Sequence, residues 1–384
     1  MTWTARFQQA LAEQQRKQAY RRLIARRATQ PPYLERNGKR YLNFGGNDYL
    51  GLSHDPEIIR AWQQALSCYG IGSGGSPLVS GHTEAHATLE QQLQQWLGYE
   101  RALLFSSGYS ANQAVLLGLL RQDDILLADK LCHASMQEAA ALSPALYRRF
   151  AHQRYDILAQ QLETYADNSV LIASEGVFSM DGDCADIPQL CALSRRYGAL
   201  LLLDDAHGIG VLGKEGRGSA AAAGEHPDIL IITFGKAVGS MGAAVLCNHE
   251  TAEYLIQFAR HLIYSTAIPP AQAVALSTAF QRIREADGLR AKLQQNITRF
   301  RAGIRQLGMA ERLLPSQTAI QPLICGSNQA ALDAAEKLSA QGLYVPAIRP
   351  PTVPQGQARL RITLTAAHEA EHIDALLQGL HYAV

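Results

Sequence analysis

Residues 199–208 read Ala-Leu-Leu-Leu-Leu-Asp-Asp-Ala-His-Gly, an apolar run of strand length that stops abruptly in two carboxylates, an imidazole and a glycine. A strand buried on both faces shows no polar alternation. A continuous run of this kind therefore predicts an inner strand of a parallel sheet covered by helices. The pattern recurs in both directions along the chain. Apolar runs at 102–105, 125–128, 170–173, 199–203, 229–234 and 243–247 are separated mostly by stretches of helical periodicity, such as 187–197. The expected fold is α/β, a mostly parallel sheet with helices on both faces. Ligands of such sheets bind beyond the carboxyl ends of the strands, so the residues just after each run are the candidates for chemistry.

At 384 residues the chain suits one large domain and a smaller one. Trp3, Phe7, Leu11, Leu23 and Ile24 predict a helical arm carrying Arg16, Lys17, Arg21, Arg22, Arg26 and Arg27, ended by Pro31-Pro32. A short strand is expected at 41–44. Leu89, Leu93, Trp96 and Leu97 share a helical face stopped by Gly98. One or two long helices are expected over 270–308. The tail then reads strand (319–324), helix (329–341), strand (343–347), strand (359–364) and helix (366–380), a smaller α+β domain. The expected divisions are an arm over 1–40, a large domain over 41–280 and a C-terminal domain over 281–384.

Lys+Arg at 35 against Asp+Glu at 34 gives no electrostatic case for nucleic acid or an anionic membrane. No window approaches the roughly 18 apolar residues of a membrane span. The six cysteines are scattered without C-x-x-C, against a disulfide framework or structural zinc, and no metal is expected. No apolar signal region opens the chain. Residues 3–28 are basic and amphipathic, yet Glu13 and a Gln-rich composition argue against an organelle presequence. A cytoplasmic protein is expected.

Gly70-Ile71-Gly72-Ser73-Gly74-Gly75 satisfies G-x-G-x-x-G, but residues 58–68 before it look helical and Ser76-Pro77-Leu78 after it does not start a helix. A dinucleotide fingerprint needs the reverse context. Gly235-Lys236 resembles the end of a P-loop, yet Ala237 stands where Ser or Thr is required. What remains is a lysine just past an apolar strand among small residues. Desolvation there favours the neutral amine, the form that attacks an aldehyde. Asp204 with His207 three positions on supplies a carboxylate and an imidazole for one planar ligand. Pyridoxal phosphate needs such a pair, one group for its pyridine nitrogen and one near its ring oxygen. Ser106-Ser107-Gly108-Tyr109-Ser110-Ala111-Asn112 turns from a strand into a helix, a place for a phosphate. His133 follows another strand end and is placed to stack on a ring. No G-x-S-x-G occurs, which disfavours a serine hydrolase.

At these residues the sequence resembles the α-oxoamine synthases, within the fold-type I pyridoxal-phosphate enzymes, from about Tyr41 to Leu364. The matching blocks are Asn47-Asp48-Tyr49-Leu50-Gly51-Leu52, residues 72–76, 107–112 and 204–213, Glu175-Gly176-Val177-Phe178-Ser179-Met180-Asp181-Gly182, and residues 233–239. The resemblance implies that Lys236 is the Schiff-base lysine and later moves the substrate Cα proton. Asp204 would pair with the pyridine nitrogen, His207 with the ring oxygen, and His133 would stack on the ring face next to substrate. Gly108, Tyr109, Ser179 and Thr233 would contact the cofactor, and Thr266 would reach its phosphate across a homodimer interface. The tail, Ala347-Ile348-Arg349-Pro350-Pro351-Thr352-Val353-Pro354 and Ala358-Arg359-Leu360-Arg361-Ile362-Thr363, is similar to members that join L-alanine to a pimeloyl thioester, on coenzyme A or a carrier protein. There Arg361 and Asn47 would hold the amino-acid carboxylate, and Arg21, Arg349 and Thr352 the acyl substrate. Two departures, Pro77 in the glycine loop and the stretch 237–241, touch loops that tune substrate choice. Relatives using glycine or serine, an aminotransferase on the same fold and a non-catalytic cofactor-binding regulator stay open.

Overall fold

The structure, a computed structural model, describes residues 1–27 and 29–384 in two compact units. One comprises residues 1–47, 180–182 and 292–384, the other residues 48–179 and 183–291.

The first unit begins with helix Trp3–Arg16, capped by Thr2, whose hydroxyl accepts from the Ala5 N–H. The expected helix through Leu23 and Ile24 is corrected here. Gln18 takes a left-handed backbone (φ 52°), which an α-helix does not propagate. Residues 19–26 run on without helix, and Leu23 is wholly exposed, so that segment buries no apolar face against which a helix would form. Strands β1 (Tyr33–Arg36) and β2 (Lys39–Asn43) follow as an antiparallel pair.

In the second unit, β3 (Arg101–Phe105), β4 (Ile125–Asp129), β5 (Leu146–Phe150), β6 (Val170–Glu175), β7 (Leu200–Asp204), β8 (Ile229–Thr233) and β9 (Ala243–Cys247) form one sheet, ordered β3-β9-β8-β7-β6-β4-β5. Strands β8 to β5 in that order are parallel to their neighbours, and only β9 runs antiparallel to those beside it. Alternate residues explain the layers. Leu126, Ala128, Leu171, Ala173, Leu202, Ile229 and Ile231 pack with residues of helices Gly108–Leu119, Ala134–Leu142 and His249–Phe258 on one face. Leu127, Ile172, Leu201, Leu203, Leu230 and Ile232, pointing the other way, are buried too. A sheet covered on both faces needs apolar residues at every position, which is what made these runs readable. Strand β5, Leu-Tyr-Arg-Arg-Phe, has a neighbour on one side only and exposes Arg148 and Arg149. Charge on an edge strand blocks further pairing, and it hid the strand from an apolar reading.

The glycine-rich stretch from Gly70 follows helix Pro56–Tyr69 rather than a strand, and Ser76 caps a single π-helical turn, Pro77–Gly81, where no helix start was expected.

The first unit resumes with β10 (Ile320–Gly326), β11 (Leu343–Tyr344), β12 (Ala347–Ile348) and β13 (Ala358–Thr363). Strands β10, β13 and β12 make an antiparallel sheet, while β11 adds to β2 in parallel. The single strand expected over 343–347 is thus two short ones in different sheets. Helices Asn328–Ala340 and Ala370–Ala383 supply buried Ala331, Ala334, Leu338, Ile373, Leu376 and Leu380. Among the described residues, no helix is long and apolar enough to cross a membrane.

Candidate active site

Four consecutive neighbours in the large sheet, β8, β7, β6 and β4, end in Thr233, Asp204, Glu175 and Asp129. Parallel strands bring all four chain exits to one edge, so apolar runs distant in sequence deliver polar side chains to one place.

Asp204 and Asp205 diverge. The Asp204 carboxylate accepts from Asn112 Nδ2 at 2.7 Å and from the Ala206 N–H at 3.0 Å. The same Asn112 amide donates to Ser135 Oγ at 3.1 Å, and Ser135 Oγ lies 2.8 Å from His133 Nδ1. Since His133 Nδ1 also accepts from the Ser135 N–H (3.2 Å), this nitrogen is the unprotonated one and the ring proton sits on Nε2. A continuous hydrogen-bonded line thus runs from Asp204 through Asn112 and Ser135 to His133. Asp205 is fully buried instead, accepting from the Ser219 N–H (2.7 Å) and hydroxyl (2.6 Å). A Cβ on Gly176, Gly208 or Gly218 would come within 2.4, 2.1 or 2.0 Å of its oxygens. Burial pushes its carboxyl up to about 7. Asp205 locks the loop, which leaves Asp204 to face the cluster.

His207 is buried and shares a 2.6 Å hydrogen bond between its Nδ1 and the Tyr49 hydroxyl. Lys236, half-buried two residues beyond Phe234, donates from Nζ to Thr233 Oγ1 at 3.3 Å. Gly108 opens its helix against that same threonine, and a Cβ there would meet Thr233 Cγ2 at 2.5 Å. Tyr109 points its hydroxyl at Glu138 and sets its ring edge-on to His133. Crowding of the His133 ring lowers its pKa, as does the charge of Lys236, while Asp204 pulls it up. Burial, aided by the charge of its register partner Asp204, drives the Glu175 carboxyl well above the ordinary range. Ser179 is half-buried in the loop after β6. Thr266 is exposed between helices Arg260–Ile263 and Pro270–Arg284, and shares no hydrogen bond with these residues.

Ser135 joins the cluster unannounced by sequence, and Asn112, Tyr49 and Glu175, which lie within the stretches quoted above, join it with no role expected of them. Asn112 carried a usable signal, an amide on the helix face that also buries Ala111, Ala114 and Val115. A buried amide is placed there to bond something. Tyr49 carried no such signal.

In the first unit, Arg361 Nη1 donates to Asn47 Oδ1 (3.2 Å) and Thr363 Oγ1 (3.0 Å), so the two residues expected to hold a carboxylate do meet. Arg21, Arg349 and Thr352 line one cavity of about 100 Å³. Burial, and after it the neighbouring Arg21 charge, lower the Arg349 pKa.

The donor set fits pyridoxal phosphate. A carboxylate held by an amide, a buried imidazole, a lysine and a helix start kept open by Gly108 match the ring nitrogen, ring oxygen, aldehyde and phosphate of that group. The crowding of Thr233 against position 108 is the structural mark of this cradle, because only glycine leaves it open. Among the described residues, no group of His, Cys, Asp and Glu is set to hold a metal ion.

A family model, aminotransferase class I and II, matches residues 39–380. An 8-amino-7-oxononanoate synthase of Serratia proteamaculans is 58% identical over 381 residues, covering 99% of each chain. Among solved structures, a serine palmitoyltransferase variant from S. paucimobilis with bound PLP and myriocin superposes with a TM-score of 0.94 at 28% identity, over 100% of this chain and 98% of that one. An 8-amino-7-oxononanoate synthase from Francisella tularensis does so with a TM-score of 0.76 at 32% identity, over 88% and 96%.

Proposed function

The chain belongs to the aminotransferase class I and II family, and from that premise we propose that it joins L-alanine to a pimeloyl thioester to give 8-amino-7-oxononanoate, CO2 and free thiol, the acyl-transfer step of biotin synthesis. The observation that carries this is identity of 58% along 99% of both chains with a synthase of that name, in a chain whose strand ends assemble a carboxylate, imidazole and lysine cluster. Pyridoxal phosphate, when bound, supplies the electron sink that makes alanine's Cα acidic and then eases loss of CO2.

The chain's own groups do the rest. Asp204 would hold the ring nitrogen protonated, and the Asn112 amide fixes Asp204 for that task. His207, braced by Tyr49, would meet the ring oxygen. His133 would stack on the ring face beside substrate, and Gly108, Tyr109, Ser179 and Thr233 would complete the cofactor contacts. Lys236 would hold the cofactor at its aldehyde carbon, and its amine is the base that would remove the Cα proton of alanine, general base catalysis worth about 10²–10⁴-fold. Arg361 and Asn47 bind the alanine carboxylate, and Arg21, Arg349 and Thr352 bind the far end of the acyl chain, where two guanidinium groups suit a second carboxylate. The protein acts as a cytoplasmic homodimer in this reading, with Thr266 serving the phosphate of the second copy. Residues 41–280 form the cofactor domain, 281–384 the C-terminal domain and 1–40 the arm. Coenzyme A and a carrier protein are both admitted as the thiol.

The test is to incubate cofactor-loaded protein with pimeloyl-CoA and L-alanine, glycine or L-serine separately, following thiol release and product mass. Alanine-dependent thiol release with the decarboxylated amino-ketone mass is expected. Turnover with glycine or serine but not alanine would keep the family and overturn the substrate.

A further inference from the structure

Two loops of the second unit carry site residues, and one buried carboxylate anchors both. Asp129, 1% exposed, is the last residue of β4. Its Oδ1 accepts from the Leu131 N–H at 2.8 Å, fixing the turn that presents His133. The same Oδ1 lies 3.0 Å from His152 Nδ1, and Oδ2 accepts from the Gln153 N–H at 3.1 Å. On its other side, His152 Nε2 lies 2.8 Å from Asp183 Oδ2. Gln153 Nε2 donates to the same oxygen at 2.6 Å and to the Cys184 carbonyl at 3.0 Å. Asp183 in turn closes the loop that carries Ser179, because its carbonyl accepts from the Phe178 N–H at 3.0 Å and Val177 bridges to Cys184. The Phe178 ring meets the His152 ring at 4.4 Å and 84°.

Each ring nitrogen of His152 faces a carboxylate, so both carry protons and the ring is a cation. Burial pulls the imidazole pKa down, but Asp129 and Asp183 outweigh it and hold it up at about 10. Gln153 adopts a left-handed backbone (φ 54°), uncommon for a side-chain-bearing residue, and in that turn its N–H and its amide address the two carboxylates separately. Such strain persists where the surroundings over-determine it.

We propose that Asp129 and His152 form a positioning clasp that holds the His133 turn and the Ser179 loop at one fixed spacing around the cofactor. The clasp rests on the assignment of His133 and Ser179 as cofactor contacts in the function proposed above. His152 touches no reacting atom. It acts through the two loops.

The experiment is a double-mutant cycle on the holoenzyme with His152→Phe, which keeps a ring against Phe178, and Ser179→Ala. Cofactor dissociation constant, visible circular dichroism of the bound cofactor and thermal midpoint are read together. Each single variant should weaken cofactor affinity about tenfold, and the double variant by little more than either one, since residues acting as a unit are not additive. His152→Phe should also weaken the circular dichroism while borohydride still fixes cofactor to Lys236. Losses that multiply in the double variant, or wild-type affinity and dichroism in His152→Phe, would overturn the clasp. Should His152→Phe fail to fold, Asp183→Asn carries the same cycle, with an expected loss of about threefold and the same non-additivity. Wild-type protein that binds no pyridoxal phosphate would instead sink the functional reading, and the clasp with it.

Discussion

At the carboxyl ends of β4, β6, β7 and β8, ionisable and hydroxyl side chains emerge where apolar strands stop. In β13, by contrast, Arg359 and Arg361 sit within the strand itself, 0% and 5% exposed. The first arrangement is announced by sequence, because an uninterrupted apolar run marks its own end. The second is concealed. Arg-Leu-Arg-Ile alternates, and alternation ordinarily puts the charged residues in solvent. Here every residue of β13 is buried, so each cation has to find its compensation inside the fold. Arg359 bonds Asp181 Oδ1 at 2.6 Å together with the carbonyls of Met180 and Gln357. Arg361 bonds Asn47 and Thr363. Two residues apart on one strand, the first is committed to structure and the second, in the function proposed above, binds substrate.

The largest effect that tests this contrast is on stability. Arg359→Met should lower unfolding free energy by about 3–5 kcal/mol, because Asp181 and the Met180 carbonyl lose their donor. Urea unfolding checks it, and an unchanged midpoint would erase the distinction between the two arginines. Arg361→Ala should lose much less stability but raise KM for L-alanine by roughly 10- to 100-fold, the worth of a charged hydrogen bond. KM for the acyl thioester should move little, and the reverse ranking would show the substrate pockets exchanged. The smallest effect sharpens the other side of the comparison. His152 has its pKa raised in the fold to about 10 from an ordinary value of 6.5. Its stabilising contribution is therefore complete below about pH 6.5 and is lost as pH climbs towards 10. The thermal midpoint of the wild type should fall over that window by a few degrees more than that of His152→Phe. Parallel slopes would mean His152 is not held as a cation.

Sequence reading reached those strands whose two faces are covered, since helices on both sides demand apolar residues throughout. It missed β5, an edge strand that exposes Arg148 and Arg149. The helical arm was overextended because Leu23 and Ile24 suggested a face that packs on nothing, as the exposure of Leu23 records. Lys236, Asp204 and His207 were legible as candidates from their place after apolar strands. That Asp204 and not Asp205 faces the cluster depends on Ser219 and three glycines that no local pattern connects. Nor could a sequence place His152 between Asp129 and Asp183, which come from three separate segments and meet only once β4 and β6 pair side by side.

In the function proposed above, Lys236 is the base that moves the Cα proton of alanine. Cofactor-loaded protein should exchange the Cα deuteron of L-[2-²H]alanine with water, measured by mass spectrometry, and Lys236→Ala should not do so even when pyridoxal phosphate is supplied in excess. Exchange by Lys236→Ala at the wild-type rate would contradict the assignment.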